Sequence, residues 1–370
     1  MNKKSNWGLL LIVLVMGVTG WYILRQQPLS QLVKVLSQIK PAFVLLGLGL
    51  MLAFVGCEAM CSKLILGRLG HKVRYKQCLG YSFTGFYVSS ITPSSTGGQP
   101  AQIYYMSKDG VPAAHGSLNM MLIAVCYQVV TLVYAVAAFF FLADARKGLG
   151  GGLGLLLLYG GVVMIVLTAG MLCMMFLPNA ARKLTGGVLA LLVRLRVVKR
   201  EEEMRRKLED QMAEYHKGAA CIKENLSVMP ALLLLTFVQL TALYAVPYVV
   251  YLGFGLQGAG FFQLVGTQAL VNLAVGSLPL PGAVGASEGS ALRAFSMFFG
   301  SGLGAPAVLV SRGISFYSFL IISAGVTLGM HLTHREKAPA APRREKTKVK
   351  LPPVAAAVAV SVTVKKAALD

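Results

Sequence analysis

The chain has 370 residues, of which 56% are hydrophobic and 13% are charged, and its formal net charge is +21. A mean hydropathy of +0.66, with apolar runs long enough to cross about 30 Å of hydrocarbon, excludes an ordinary soluble protein. Lys and Arg gather in a few loops between these runs, which argues against a nucleic-acid-binding surface. The composition therefore predicts an all-α polytopic membrane protein.

In chain order, six apolar runs have the length of a full membrane span, and two more are interrupted by Gly and Pro. The six predicted spans are Leu9–Leu24, Pro41–Met60, Gly116–Leu142, Leu153–Leu177, Val228–Leu252 and Pro306–Met330. The two broken segments are Cys78–Met106 and Phe261–Phe299. No small-residue cleavage pattern follows the first run, so we interpret it as a retained span rather than a signal peptide.

The basic loops predict the orientation of the chain. Lys and Arg concentrate in Lys63–Lys76, in Arg182–Lys223 and after Arg335, and such loops face the cytoplasm. We therefore predict a multi-pass protein of the cell (cytoplasmic) membrane with both termini in the cytoplasm. Residues 1–334 form the predicted transmembrane domain, and residues 335–370 form a basic, disordered tail that contacts anionic lipid.

The main cytoplasmic segment, Asn179–Asn225, contains a predicted amphipathic helix. Glu201, Glu202 and Glu203 each precede a basic residue by four positions, while Leu208, Met212 and Tyr215 repeat on one face. We interpret this helix as lying near the membrane surface, with docking of a partner as the alternative.

The first broken segment contains the run TPSSTGGQPAQIYYM, which begins at Thr92. Gly and Pro interrupt the helical hydrogen-bond ladder, and such backbone survives at membrane depth only where protein buries it or water reaches it. A half-helix beginning there offers unpaired N–H groups to an anionic headgroup. The candidate binding residues are Thr92, Ser94, Ser95, Thr96, Gly97, Gly98 and Gln99, with Gln102 as a further amide.

The second broken segment reads GSLPLPGAVGASEGSALRAF from Gly276, and Gly282 and Gly285 are its candidate binding residues. Two such segments, one in each half of the chain, are typical of discontinuous helices around a central site. The first is predicted to re-enter from the cytoplasm. The second either enters from outside, which would make the two inverted repeats, or forms two spans joined near the inner face. In either arrangement the Gly and Pro residues could simply kink packed helices.

Few ionisable residues fall inside apolar runs, and by default such residues indicate function. The acidic pair is Glu58 and Glu288, and the candidate cations are Arg293 and Arg312. Arg312 is expected to pair with Glu288 or Glu58, or to bind a lipid phosphate; a purely structural ion pair is the alternative. No His or carboxylate cluster accompanies the cysteines, so we predict no metal site, no cofactor and no catalytic residue.

The motifs TPSSTGGQPAQIYYMSKDGV and LPLPGAVGASEGSALRAF, followed by VSRGISFY, resemble the membrane domain of the lysylphosphatidylglycerol synthase/flippase (MprF-like) family over roughly residues 7–330. The resemblance implies a flippase-like membrane domain that moves aminoacylated phosphatidylglycerol to the outer leaflet. Full-length members add a C-terminal domain that makes this lipid from lysyl-tRNA, whereas only 40 residues follow Met330 here. The resemblance therefore supports translocation and not synthesis.

We predict a lipid translocase for an anionic or aminoacylated phospholipid such as lysylphosphatidylglycerol. The alternative is a phosphatidylglycerol lysyltransferase that confers resistance to cationic antimicrobial peptides, by itself or with a catalytic partner in trans, so whether the chain is an enzyme stays open. A membrane scaffold that docks partners is a third class. The predicted partners are membrane phospholipid, a lysyltransferase or glycolipid-pathway protein, and a second copy of the chain; no direct contact with nucleic acid is expected.

Overall fold

The computed structural model describes residues 39–92, 95–142, 152–177, 187, 209–210, 213, 215, 217–223, 226–278, 281–283 and 285–334. Within these residues all regular structure is helical, which confirms the predicted fold class. The predicted span Leu9–Leu24, the candidate residue Ser94 and the tail lie outside the described residues.

Ten α-helices follow one another along the described part of the chain. They are α1 (Pro41–Arg68), α2 (Tyr75–Ile91), α3 (Gly98–Lys108), α4 (Ala113–Phe141), α5 (Gly152–Phe176), α6 (Met229–Tyr244), α7 (Val246–Gly253), α8 (Phe261–Val275), α9 (Ala286–Arg312) and α10 (Ser318–His334). Five stretches are long and apolar enough to span a membrane: α1, α4, most of α5, α6 with α7, and residues 303–334.

The bundle has two ends, which contacts between helix termini define. One end is called the basic end because it carries the loop within Lys63–Lys76. At this end α1 and α3 terminate, and α2 and α4 begin. The helix α10 also ends there, since His334 contacts Asp109 between α3 and α4. Gly70 (φ 84°) and Gly110 (φ 88°) terminate α1 and α3 in the left-handed conformation that glycine adopts without strain. At the far end, Gly253 of α7 packs on Ile39 and Phe43 at the start of α1.

The two broken segments form hairpins that enter the bundle from opposite ends. The first hairpin, α2 and α3, has both of its open ends at the basic end, since Tyr81 of α2 bonds to Asp109 just after α3. The second hairpin comprises α8 and the first part of α9, residues 286–299. Its open ends lie at the far end, because Gly266 packs on Leu142 and Phe299 stacks edge-on with Tyr251.

The second hairpin ends at Gly300, whose φ of 68° and ψ of −179° interrupt α9 and reverse the chain into the last span. This span carries Arg312 and a π-helical turn, Gly313–Tyr317, before α10 begins. These contacts agree with the predicted inverted arrangement of the two broken segments. They do not agree with the alternative of two spans joined near the inner face.

Close helix contact, rather than hydrophobic exclusion from lipid, holds such a bundle together. Gly160 of α5 lies directly against the backbone carbonyl of Leu273 in α8, where a Cβ would overlap that oxygen. The main core contains Met51, Leu240, Tyr244 and Phe319, each fully buried. α1 and α8 both contribute to it, so the second hairpin is packed into the bundle and does not lie at its periphery.

Three residues of the segment Asn179–Asn225 pack against the basic end of the bundle. Tyr215 is buried and its hydroxyl contacts the sulfur of Met121, while Ile222 joins the same core cluster. Cys221 donates to the carbonyl of Arg68 at the end of α1. Tyr215 belongs to the predicted apolar stripe, so at this position the stripe contacts protein and not only a membrane surface.

Candidate functional site

The tip of the first hairpin is closed by its own polar groups. The helix α2 ends at Ile91, and the hydroxyl of Thr92 donates to the carbonyl of Val88 at 2.8 Å. The same oxygen accepts the N–H of Gly97 at 3.0 Å, and Ser89 donates to the carbonyl of Ser95 at 3.3 Å. Thr92 thus satisfies backbone groups that the break leaves unpaired.

Glycine lets the two legs of this hairpin touch. A Cβ on Gly98, at the start of α3, would overlap the hydroxyl of Ser89 and lie 2.6 Å from the carbonyl oxygen of Gly85 in α2. Gly97 has a helical φ and is likewise crowded by Thr92. Ser95, Thr96 and Gln99 are exposed on the tip, so these side chains, and not Thr92, point away from the hairpin.

The tip of the second hairpin has a strained backbone and a charged cap. Gly282 (φ 57°), Ala283 (φ 50°) and Gly285 (φ 84°) all have left-handed or related conformations. The side chain of Glu288 folds back over the start of α9, where its Oε2 accepts the N–H of Gly285 at 2.6 Å. This bond places a carboxylate at the positive end of the helix, where it is stabilised by the helix dipole.

Arg312, from the last span, completes this charged cluster. Its Nε donates to Oε1 of Glu288 at 2.8 Å, and its Nη2 donates to the carbonyl of Gly282 at 3.0 Å. The hydroxyl of Tyr317 donates to the same Glu288 oxygen at 3.2 Å. The guanidinium also lies 4.3 Å from the ring centroid of Phe316. Arg312 pairs with Glu288, and not with Glu58.

The cluster is enclosed but not sealed. The side chains of Arg312 and Glu288 are 17% and 14% exposed, respectively. Three different features hold Arg312: a carboxylate, a backbone carbonyl and an aromatic face. A guanidinium held in this way still has donors for one more oxygen-rich group, since it carries five N–H bonds.

The two tips meet at the middle of the last span. Phe316 and Tyr317 of the π turn pack with Tyr87, Val88 and Ile91 at the end of α2. The turn Pro281–Ala283 of the second tip also contacts α2. The hydroxyl-rich first tip and the charged second tip are therefore neighbours, and the two helix breaks lie at a similar depth in the bundle.

Glu58 belongs to a second polar group, which lies between α1, α2 and α3. Its Oε1 accepts the amide of Gln102, in α3, at 3.0 Å. Tyr127 of α4 lies near Glu58 and interacts with Asn272 of α8, and Asn272 donates to the hydroxyl of Tyr244 at 3.2 Å. A chain of amide and phenol groups thus runs from Glu58 into the core.

The base of the first hairpin holds a further acidic group, outside the membrane-spanning segments. Asp109 accepts the hydroxyl of Tyr81 at 2.6 Å and contacts the imidazole of His334 at 3.0 Å. Burial alone would raise the pKa of the Asp109 carboxyl, but the hydrogen bonds from Tyr81 and His334, with the charge of His334, lower it below its usual value. This contact fastens the end of α10 to the first hairpin.

The structure brings most of the predicted site residues together in these two groups. Gly282, Gly285, Glu288 and Arg312 form one cluster with the first tip beside it, and Glu58 lies in the second polar group. Arg293 is exposed on α9, and no hydrogen bond or ion pair within the described residues joins its side chain to the cluster. Its predicted role stays a prediction.

Sequence reasoning did not assign roles to Tyr317, Phe316, Tyr127 and Asn272. Tyr317 and Phe316 lie in the VSRGISFY motif directly after Arg312, so the motif itself carried a signal for them. Asn272 is an isolated amide inside the apolar part of a broken segment, a position where a polar side chain calls for a partner.

The fold and the cluster together define a polytopic membrane protein with two opposed hairpins whose tips meet at an ion pair. Residues 7–323 match the family described as lysylphosphatidylglycerol synthase TM region, and the chain belongs to that family. No curated protein and no solved structure matches the chain. The family places it among membrane proteins of lysylphosphatidylglycerol synthesis or translocation.

Proposed function

We propose that the chain is a lipid translocase, which moves an anionic or aminoacylated phospholipid such as lysylphosphatidylglycerol across the cytoplasmic membrane. The observation that carries the proposal is the meeting of two hairpins, which enter the bundle from opposite ends, at the pair Glu288–Arg312. Neither hairpin continues through the bundle to the opposite end, so other elements cover the depth beyond each tip. A polar headgroup could therefore pass the tips from either end without crossing a full length of hydrocarbon.

Arg312 is the group that would recognise the phosphate of the lipid. Guanidinium binds phosphate through paired N–H···O bonds, and at rest these donors are held by Glu288 and the carbonyl of Gly282. The Glu288 carboxylate thus occupies the position that an incoming phosphate oxygen would take. Binding of the headgroup would exchange one anion for another, so the site would not have to hold an unpaired Arg312 at any stage.

Once a phosphate has displaced Glu288 from Arg312, the Glu288 carboxylate can bind a second group of the lipid. It still caps the N-terminus of α9 through the N–H of Gly285, and it becomes available to a cationic aminoacyl group on the same lipid. An ammonium beside this carboxylate would replace the charge that Arg312 had supplied. A zwitterionic or cationic headgroup with one phosphate therefore matches the pair better than an uncharged one does.

The first tip would supply neutral contacts. Ser95, Thr96 and Gln99 are exposed beside the charged tip, and hydroxyl and amide groups bind the glycerol and phosphate oxygens of a headgroup. The acyl chains would stay in the bilayer, where the apolar outer faces of the spans meet them. Leu155, Leu158 and Ile165 of α5 are examples of such exposed side chains.

The test is leaflet exchange of labelled phosphatidylglycerol and lysylphosphatidylglycerol in liposomes that contain the purified chain. We expect exchange of at least one of them, and a loss of about tenfold or more on Arg312→Gln or Glu288→Gln. Ser296→Ala is the matched control, since Ser296 is exposed on the same helix and bonds only to the carbonyl of Arg293. Arg293→Gln would decide whether that residue takes part.

Exchange that is unaffected by either substitution would remove the ion pair from the mechanism. Formation of lysylphosphatidylglycerol in liposomes that hold phosphatidylglycerol, on addition of lysyl-tRNA, would instead support the lysyltransferase prediction.

A further inference from the structure

The two acidic groups inside the bundle differ in how their charge is balanced. Glu288 is bonded to Arg312 at 2.8 Å. Glu58 is bonded to a neutral amide, Gln102, and within the described residues no ion pair reaches it. Lys63, the nearest cation along α1, is exposed and directed away from the core.

The groups that surround Glu58 are all neutral or weakly acidic. They come from α1, α2, α3 and α4, and they are Cys61, Ser82, Gln102 and Tyr127. A carboxyl at membrane depth is stable when a cation pairs with it or when it carries a proton. Because no cation among the described residues pairs with Glu58, a proton is the remaining group that can balance its charge.

Gln102 is suited to both forms of this carboxyl. Its side chain is buried, with 5% exposure, and its Oε1 is a buried acceptor without a partner. The Nε2 donates to an ionised Glu58, as seen here. After half a turn of the amide, Oε1 would accept the O–H of a protonated Glu58. One side chain can therefore satisfy either state through a rotation, with no change in the backbone.

Polar side chains continue from the surroundings of Glu58 in both directions. Toward the core lie Tyr127, Asn272 and Tyr244, joined by the contacts described above, and Tyr244 continues to Thr131 at 3.4 Å. Toward the basic end, one turn along α1, Ser62 accepts the amide of Asn119 at 3.2 Å. Proton relays inside membrane proteins are built around ionisable side chains, and Glu58 is the ionisable carboxyl of this line, with hydroxyl and amide groups on either side of it.

We propose that Glu58 is a proton-binding site that couples lipid movement to the proton gradient. The carboxylate takes up one proton from the side with the lower pH and releases it toward the other side, and Gln102 adjusts its amide to each state. Gln102 lies in α3, one turn from Gly98, so protonation of Glu58 acts directly on a leg of the first hairpin. The inference rests on the proposed translocase function for its coupling, but proton binding itself can be tested without transport.

Proton binding is tested with dicyclohexylcarbodiimide, which modifies protonated carboxyls in apolar surroundings, on the full chain in liposomes of phosphatidylglycerol and phosphatidylcholine. Mass spectrometry of the peptides is expected to show modification of Glu58 that increases as the pH is lowered. Glu288 is the internal control and is expected to stay unmodified because Arg312 pairs with it. An unmodified Glu58 at every pH, or equal modification of both residues, would overturn the proposal.

Coupling is tested in the same liposomes with an imposed pH gradient. We expect the gradient to change the rate of lipid exchange several-fold in the natural chain and in Cys57→Ala, the adjacent control on α1. Glu58→Gln is expected to abolish this response, and Glu58→Asp, which keeps the carboxyl, to retain part of it should the Gln variant fail to fold.

The two proposals fail in different ways. Lipid exchange at a rate that does not depend on the pH gradient would refute coupling, but it would still support the translocase proposal. An absence of any exchange would refute the translocase, and the modification of Glu58 would then decide proton binding alone.

Discussion

The two hairpin tips satisfy the unpaired backbone groups of a helix break with different side-chain chemistry. Both bring broken backbone to the middle of the bundle. The first tip closes with neutral bonds made by Thr92 and Ser89 and with glycine contacts between its legs. The second closes with a carboxylate, a guanidinium and a phenol. Neutral bonds within a segment do not depend on any other element, whereas the charged tip depends on the last span.

This difference determines which of the two tips can exchange its contacts for those of a ligand. The first tip is complete within its own hairpin, so it can remain fixed while other elements move. The second tip holds together two parts of the chain that are 24 residues apart, and each of its charges can be exchanged for a charge of a ligand. We expect changes at the second tip to alter function and stability together, and changes in the groups that close the first tip, Thr92 and Gly98, to alter stability mainly.

The largest expected effect comes from removal of one partner of the ion pair. Arg312→Met leaves Glu288 without its cation, and loss of one member of a buried pair costs about 3 kcal/mol or more. We expect a marked fall of the thermal unfolding midpoint in detergent. The double variant Glu288→Gln/Arg312→Met should recover most of that stability but not transport. Equal midpoints for the single and double variants would show that the charge of Glu288 is balanced elsewhere.

The next largest effect is expected at the contact between the legs of the first hairpin. Gly98→Ala places a methyl group against the backbone of Gly85, and such overpacking costs about 1–3 kcal/mol. Gly161→Ala is the control, because a Cβ at this helical position meets nothing within 4 Å. The measurement is again thermal unfolding in detergent; a Gly98→Ala chain as stable as the control would mean that the legs are not in close contact.

A smaller effect is expected when the closing hydroxyl of the first tip is removed. Thr92→Val keeps the shape of the side chain but leaves the N–H of Gly97 unpaired, which costs about 1 kcal/mol. Hydrogen exchange of the Gly97 amide should accelerate several-fold. Thr333→Val, which removes an exposed hydroxyl bonded within α10, should leave that amide unchanged, and lipid exchange should persist in both variants.

The smallest effect is expected at the base of the first hairpin and depends on pH. The pKa of Asp109 is lowered in the folded chain, so its stabilising contribution is present above its ordinary pKa of about 3.9. That contribution is lost as the pH falls through the lower, folded value. Midpoints measured between about pH 6 and pH 3 should decline more steeply for the natural chain than for Asp109→Asn. Parallel profiles would exclude this contact as their cause.

The sequence was sufficient for the helical class, for the five long spans among the described residues and for both broken segments, because hydropathy and the positions of Gly and Pro indicate them directly. The predicted span Leu9–Leu24 stays a prediction. It also singled out Glu58, Glu288 and Arg312, since charges are rare in apolar runs. It left open which carboxylate pairs with Arg312, because that depends on how distant helices pack. The inward use of Thr92 was missed for a related reason: a hydroxyl looks the same in sequence whether it binds a ligand or its own backbone.

The π turn at Gly313–Tyr317 gives the last span a property that an ordinary helix lacks. Such a turn holds one more residue than an α-helical turn, and it can migrate along a helix without breaking the chain. Passage of that extra residue beyond Arg312 would rotate the guanidinium by about 100° around the helix axis, away from Glu288 and the aromatic face of Phe316. The position of the π turn therefore determines the direction in which the single arginine of the last span points, toward Glu288 and Phe316 in this structure.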